Sequence, residues 1–142
     1  MNGIKVIVSF VCGFVVAQII KFIIGYFCGD KKKIVAGFGS AVEYLLKSGG
    51  MPSGHAASLT AATVSIGLLE GFGTSIFALA LCVLVIVIYD AVNVRYIVGE
   101  QGKALNKLIK KPLRIVEGHV ITEVLVGILI GVLVGCGVFL AF

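Results

Sequence analysis

Residues 119–142 read HVITEVLVGILIGVLVGCGVFLAF, a stretch in which Thr122 and Glu123 are the only clearly polar residues after His119. A helix needs roughly 20 apolar residues to cross the hydrocarbon core of a bilayer. The stretch therefore predicts a membrane-spanning helix over about 119–141. The whole chain agrees with this, because 59% of its residues are hydrophobic and only 13% are charged. Too little polar surface remains to coat a soluble globular protein.

Three further apolar runs precede this stretch, at 4–28, 53–70 and 74–98. Gly71–Thr74 forms a short turn between the second and third runs, which predicts a helical hairpin. A chain of 142 residues has room for one bundle. We therefore predict an all-α integral membrane bundle, with residues 1–142 as a single domain of about four transmembrane helices.

Two polar connections, 29–52 and 99–118, lie on one side of the predicted bundle. Most of the basic residues fall there: Lys31, Lys32, Lys33, Lys47, Lys103, Lys107, Lys110, Lys111 and Arg114. Because basic loops stay in the cytoplasm, this bias predicts a multi-pass cell-membrane protein with both termini outside, although lysines that bind an anionic substrate would give the same asymmetry. Leu and Ile at helical spacing predict short interfacial helices at 34–46 and 101–116, and solvated loops touching membrane lipid headgroups are the alternative.

Residues 47–55, KSGGMPSGH, form a glycine-rich turn that leads directly into the second apolar run. Ser53 is placed to cap the helix, and Gly54 lets a ligand approach the backbone. The exposed N–H groups and the dipole of a helix N-terminus favour a phosphate there. The segment predicts an anion site with His55 in the first turn; the alternative is a capped helix with an incidental histidine.

His119 and Glu123 are four residues apart, so their side chains can contact each other on one face of a helix. A carboxylate on one ring nitrogen fixes the tautomer and leaves the other nitrogen free to attack, which is typical of a nucleophile and its supporting acid. A buried pair that satisfies itself within the bundle is the alternative. His55 and His119 are the only two histidines, and the topology predicts that they meet at one face of the bilayer.

Residues 89–95, YDAVNVR, close the third run at the same predicted face. Arg95 offers a planar fork for phosphate oxygens, and we expect Asp90 to form a structural ion pair with it. Arg114 is a second candidate phosphate ligand, although a loop arginine near a membrane also serves as a headgroup contact. No metal cluster is visible in the sequence, and neither a cofactor nor a nucleic-acid partner is expected.

The stretches KSGGMPSGH, YDAVNVR and EGHVITEV, in this order, resemble the divergent branch of the type 2 phosphatidic acid phosphatase and vanadium haloperoxidase superfamily, the acid phosphatase/vanadium-dependent haloperoxidase-related membrane proteins. The chain reproduces the superfamily's PSGH element at 52–55, and His119 with Glu123 resembles its H-x3-D, with glutamate in place of aspartate. Two features depart from the pattern. The Arg-Pro pair expected seven residues after Lys47 is absent, and Arg114 comes one residue late before His119.

The resemblance implies a metal-independent phosphohydrolase that acts on phosphatidic acid, phosphatidylglycerophosphate or an isoprenyl phosphate. His119, supported by Glu123, would attack phosphorus to give a phosphohistidine, and His55 would protonate the departing alkoxide. The candidate phosphate ligands are Lys47, Ser53, Gly54, Arg95 and Arg114. A non-catalytic lipid-phosphate binder or transporter is the alternative function.

Small residues form a stripe along the last apolar run, where Gly127, Gly131 and Gly135 repeat every four residues. Such a stripe seats another helix closely. It predicts either packing within the bundle or a homodimer.

Overall fold

The computed structural model describes residues 2–28, 50–109, 113, 115 and 118–142. Within these ranges the chain is helical and has no strand, so the predicted all-α class is confirmed. The helices are α1 (Asn2–Cys28), α2 (Gly54–Glu70), α3 (Ser75–Tyr89), α4 (Arg95–Asn106) and α5 (Ile121–Ala141). A π-helical turn, Asp90–Val94, joins α3 to α4 without a break.

Three helices are long and apolar enough to cross a membrane: α1 with 27 residues, the continuous unit Ser75–Asn106 with 32, and α5 with 21. The chain is therefore a multi-pass membrane protein. The run at 53–70, predicted as a fourth span, is α2, which has 17 residues. At about 1.5 Å per residue, α2 is roughly 25 Å long, somewhat short of a hydrocarbon core about 30 Å thick.

Helix α2 is the central element and packs against α5, α1 and α3. Its sequence, GHAASLTAATVSIGLLE, is rich in small residues, so neighbouring backbones approach it closely. A Cβ added to any glycine of the α5 stripe would come within 2.8 Å of a backbone oxygen on this central segment. The three contacts are Gly127 to Ser53, Gly131 to Ala57 and Gly135 to Ala61. The stripe thus packs within its own chain, and a homodimer stays a prediction that needs another surface.

Two helix boundaries differ from the predicted ones. The third run continues as a helix to Asn106, because residues 99–106 contain good helix formers and no proline. The first part of the predicted interfacial helix at 101–116 therefore belongs to α4. Helix α5 begins at Ile121, two residues after His119. The interfacial helix predicted at 34–46 lies outside the described residues.

The bundle has two polar ends. At the hairpin end, which comprises Asn2, Lys5, the turn Gly71–Thr74 and Phe142, the helix α1 begins beside the end of α2. Asn2 Nδ2 donates to a Glu70 carboxylate oxygen at 2.9 Å, and Lys5 Nζ donates to the backbone oxygen of Phe142 at 2.9 Å. The opposite end, called the histidine end below, comprises Gly50–His55, Asp90–Arg95 and Gly118–Glu123.

Candidate functional site

Ser53 caps α2 and joins it to α5. Its hydroxyl oxygen accepts from the N–H of Ala56 at 3.5 Å, which confirms the predicted cap. The residue is fully buried, and its own N–H donates to the carbonyl of Glu123 at 3.0 Å. The PSGH segment is therefore bonded directly to the first turn of α5.

The next two residues differ in exposure. A Cβ on Gly54 would lie 3.3 Å from the Phe14 ring, so the space beside this glycine is bounded by an aromatic side chain of α1. His55 is exposed. Arg95, His119, Asp90 and Lys21 lie close enough to act on its ring electrostatically. The two histidines therefore lie within electrostatic range of each other, with Arg95 and Asp90 beside them.

His119 is buried and its ring is fixed by Glu123. Its Nδ1 lies 2.7 Å from Glu123 Oε2, and 8% of the residue is exposed. The contact predicted from the four-residue spacing is confirmed, even though His119 precedes the helix. A carboxylate that accepts from Nδ1–H leaves the lone pair on Nε2. The arrangement suits a nucleophilic nitrogen.

The π-helical turn Asp90–Val94 fixes the backbone of His119. The N–H of Arg95 donates to the carbonyl of Asp90, five residues back, whereas in an α-helix it would bond to Ala91. The carbonyl of Ala91 accepts from the N–H of His119 instead, at 3.1 Å. The turn therefore supplies an acceptor that a regular helix would use internally.

The backbone of Gly118 packs closely against the start of α4. A Cβ at this position would stand 2.6 Å from the carbonyl carbon of Arg95, so no side chain fits. Gly118 is not among the site residues predicted from the sequence. A glycine directly before the candidate nucleophile was the sequence feature that could have indicated its close packing.

The ion pair predicted between Asp90 and Arg95 is confirmed. Arg95 Nε lies 2.6 Å from Asp90 Oδ2, and both side chains are about half exposed. The guanidinium has five N–H donors, so one bond to Asp90 does not exhaust its capacity for a phosphate. The predicted phosphate-binding role of Arg95 stays a prediction.

A family comparison identifies the chain. The model of the Divergent PAP2 family matches residues 3–134. The chain belongs to the Divergent PAP2 family. It is also similar to the uncharacterized membrane protein YuiD of Bacillus subtilis (strain 168), with 42% identity over 62 residues. That alignment covers 44% of this chain and 39% of the relative. No solved structure matches the chain.

Two predicted phosphate ligands of this Divergent PAP2 family member, Lys47 and Arg114, lie outside the described residues. Within the described parts of the chain, no group of three His, Cys, Asp or Glu side chains could hold a metal ion. The described site therefore consists of the two histidines, Glu123, the Ser53 cap and the Arg95–Asp90 pair.

Lys21 is an additional basic residue near this site, and it is not among the site residues predicted from the sequence. Residues Ser9, Gly13, Ala17, Lys21 and Gly25 are the buried positions of α1. They recur every four residues, so they form one helix face. A single lysine in register with small residues was the sequence signal that Lys21 points into the bundle.

Proposed function

We propose that this protein is a membrane phosphohydrolase that removes phosphate from a lipid phosphate through a phosphohistidine intermediate. The observation that carries the proposal is the 2.7 Å contact between His119 Nδ1 and Glu123 Oε2. It leaves Nε2 with a lone pair for attack. His55, whose ring is within electrostatic range of His119, is the acid.

The chemical step has two halves. The lone pair of His119 Nε2 forms a bond to phosphorus while the bond between phosphorus and the lipid oxygen breaks. His55, in its protonated form, donates a proton to that oxygen, which gives a neutral lipid alcohol. Water then attacks the phosphohistidine, His55 accepts a proton from it, and inorganic phosphate leaves. Glu123 stabilises the positive charge that develops on the His119 ring.

The substrate class follows from the position of the site. The histidine end lies at the start of α5 and beside the π-helical turn of Ser75–Asn106, two of the helices that can cross a membrane, so acyl or isoprenoid chains can stay in lipid while the phosphate reaches the histidines. Phosphatidic acid, phosphatidylglycerophosphate and isoprenyl phosphates all meet this requirement. The negative charge on phosphate oxygens persists through the transition state. It would be held by the proposed ligands Lys47, Ser53, Gly54, Arg95 and Arg114.

Purified full-length protein in detergent micelles provides the test. Each of the three lipid phosphates is incubated with the protein, and inorganic phosphate release is measured. Release should require His119, so His119→Ala should lower the rate at least about a thousandfold. Glu70→Gln changes a carboxylate at the hairpin end and serves as the control. Phosphate release that survives His119→Ala would show that the nucleophile is assigned incorrectly.

A non-catalytic lipid-phosphate binder or transporter is the second candidate. The missing Arg-Pro pair and the ion pair that engages Arg95 favour it, because both reduce the positive charge available to a transition state. Saturable binding of all three lipids without phosphate release would support this candidate over hydrolysis.

We also propose that the histidine end faces the cytoplasm of a cell-membrane protein, with both termini outside. The support is the excess of Lys and Arg in the two long connections. A single cysteine placed within 99–118, after Cys12, Cys28, Cys82 and Cys136 are replaced by serine, would report the side. Labelling of intact cells by a membrane-impermeant thiol reagent would contradict the cytoplasmic assignment.

A further inference from the structure

Lys21 is a buried lysine within a membrane-spanning helix. Only 7% of the residue is exposed, and it shares the inward face of α1 with Ala17 and Gly25. A lysine that merely extends to lipid headgroups keeps its charged end exposed, unlike Lys21. Because an ionised side chain at membrane depth is costly, its position requires a compensating interaction or a function.

The end of the Lys21 side chain lies beneath Gly50. A Cβ placed on Gly50 would stand 3.3 Å from Lys21 Cε and 4.0 Å from Lys21 Nζ. Gly50 has φ +85°, a conformation that glycine adopts without the strain of a side chain. The glycine therefore permits the turn and adds no side chain next to the Lys21 ammonium. From Gly50 the chain continues through Pro52 and Ser53 to His55.

The charges around His55 favour an anion. Three of the groups that act on its ring are basic, namely Arg95, His119 and Lys21, and one is acidic, Asp90. Lys21 therefore belongs electrostatically to the histidine end, although it comes from a different helix and a distant part of the sequence. A phosphate group placed among these bases would be attracted by the two that are cations, Arg95 and Lys21.

We propose that the Lys21 ammonium binds the phosphate monoester group of the lipid substrate from beneath the Gly50 turn. The proposal rests on the site of the proposed function, but it does not require turnover. An ammonium offers three N–H donors, and its bonds to phosphate oxygens are charge-assisted.

The test compares Lys21→Met with Lys5→Met in the full-length protein. Both variants remove one lysine from α1, and Lys5 lies at the hairpin end, where its Nζ contacts the backbone oxygen of Phe142. The probes are dioctanoyl phosphatidic acid, inorganic phosphate and, as the lipid without phosphate, dioctanoylglycerol. Dissociation constants are measured by calorimetric titration in detergent.

Lys21→Met should bind dioctanoyl phosphatidic acid at least about tenfold more weakly than wild type, since a hydrogen bond to a charged group is lost. Lys5→Met should bind it as wild type does, and dioctanoylglycerol should not distinguish the proteins. Inorganic phosphate binding that also depends on Lys21 would support the proposal and show that the phosphoryl group suffices. If only the binding of dioctanoyl phosphatidic acid depends on Lys21, the result would support the proposal as a lipid headgroup site. An unchanged dissociation constant for Lys21→Met, or no binding of either phosphate by wild type, would overturn it.

A second measurement covers the case in which Lys21→Met does not fold. Wild-type protein is reductively methylated with formaldehyde, with and without dioctanoyl phosphatidic acid, and the modified lysines are quantified by peptide mass spectrometry. A site that admits phosphate also admits formaldehyde. The lipid should protect Lys21 and leave Lys5 unaffected, whereas equal methylation of Lys21 in both samples would overturn the proposal.

Failure of this proposal is distinguishable from failure of hydrolysis. If the wild type binds phosphatidic acid through Lys21 but releases no phosphate, the role of Lys21 is supported and the phosphohydrolase proposal is refuted. Phosphate release by Lys21→Met with the wild-type KM refutes the Lys21 assignment and keeps the phosphohydrolase.

Discussion

The hairpin end and the histidine end of the bundle are held together by different kinds of contact. At the hairpin end the bonds between helices are made by exposed side chains, Asn2 to Glu70 and Lys5 to Phe142. Exposed polar pairs of this kind contribute little, typically less than about 1 kcal/mol. The hairpin end can therefore lose any one of them without much effect.

At the histidine end the bonds between segments are made by the backbone. The N–H of Ser53 donates to the carbonyl of Glu123, and the N–H of His119 donates to the carbonyl of Ala91. Ser53 and His119 are both buried. A buried donor that loses its partner costs about 1–3 kcal/mol, so these bonds hold the segments in fixed positions. Among the described residues, the histidine end therefore holds its side chains more firmly in place than the hairpin end does.

The largest difference between the two ends is expected when a glutamate is exchanged for glutamine at each of them. Glu123→Gln keeps the size of the side chain but lets an amide N–H face His119 Nδ1, which favours the wrong ring tautomer. We expect phosphate release to fall about a hundredfold or more. Glu70→Gln at the hairpin end should change the rate less than about twofold, because the Asn2 contact is exposed. Equal effects of the two exchanges on the rate would show that Glu123 does not support the nucleophile.

The next largest effect is expected from adding one methyl group beside His119. In Gly118→Ala the new Cβ meets the backbone of Arg95 and Tyr96, so the segment must move and the bond from His119 to Ala91 lengthens. Overpacking of this kind costs about 1–3 kcal/mol, and we expect phosphate release to fall about tenfold. The thermal unfolding midpoint and the rate of phosphate release are measured together.

Gly137→Ala is the matched control for that change. Gly137 lies in α5, and a Cβ there meets nothing within 4 Å. Alanine is favoured over glycine in a helix by about 0.5–1 kcal/mol, so stability should be unchanged or slightly higher. If Gly118→Ala behaves like Gly137→Ala, the close packing of Gly118 does not position His119.

The helices and the local contacts could be predicted from the sequence because both depend on short-range pattern. Long apolar runs have few alternatives to helices in a membrane, and a His and a Glu four residues apart lie close together in any helical turn. The Asp90–Arg95 pair and the Ser53 cap are local in the same sense. The family resemblance, carried by the PSGH element and the segments around it, was also present in the sequence.

The π-helical turn and the position of Lys21 beneath Gly50 could not be predicted, because both depend on distant segments. Residues 90–94, DAVNV, contain no proline or glycine to announce an irregular turn. The turn is paired with His119, which follows it by more than 20 residues. The register of Lys21 with small residues indicates the inward face of α1, but its position beneath Gly50 follows only from the packing of the folded chain.

An intermediate effect is expected when either member of the exposed Asp90–Arg95 ion pair is replaced. Arg95→Ala removes a candidate phosphate ligand, and the dissociation constant for phosphatidic acid should rise about tenfold. Asp90→Asn releases Arg95 from its carboxylate partner and should leave binding unchanged or tighter. Both changes should alter stability by less than about 1 kcal/mol, because the pair is half exposed. Weaker binding in Asp90→Asn than in Arg95→Ala would indicate that the ion pair itself, rather than the guanidinium, shapes the site.

The smallest effect is expected from removing the Ser53 hydroxyl, which caps α2 and is also a candidate phosphate ligand. Thr74 caps α3 at the hairpin end and serves as the comparison. The two caps are alike: the Ser53 hydroxyl accepts from Ala56 at 3.5 Å and the Thr74 hydroxyl from Phe77 at 3.4 Å. Replacing either residue by alanine should therefore lower the unfolding free energy by about 1 kcal/mol. Only Ser53→Ala should also weaken phosphatidic acid binding, by a few-fold, if its hydroxyl contacts phosphate. Identical binding in both variants would leave Ser53 as a helix cap and remove it from the phosphate ligands.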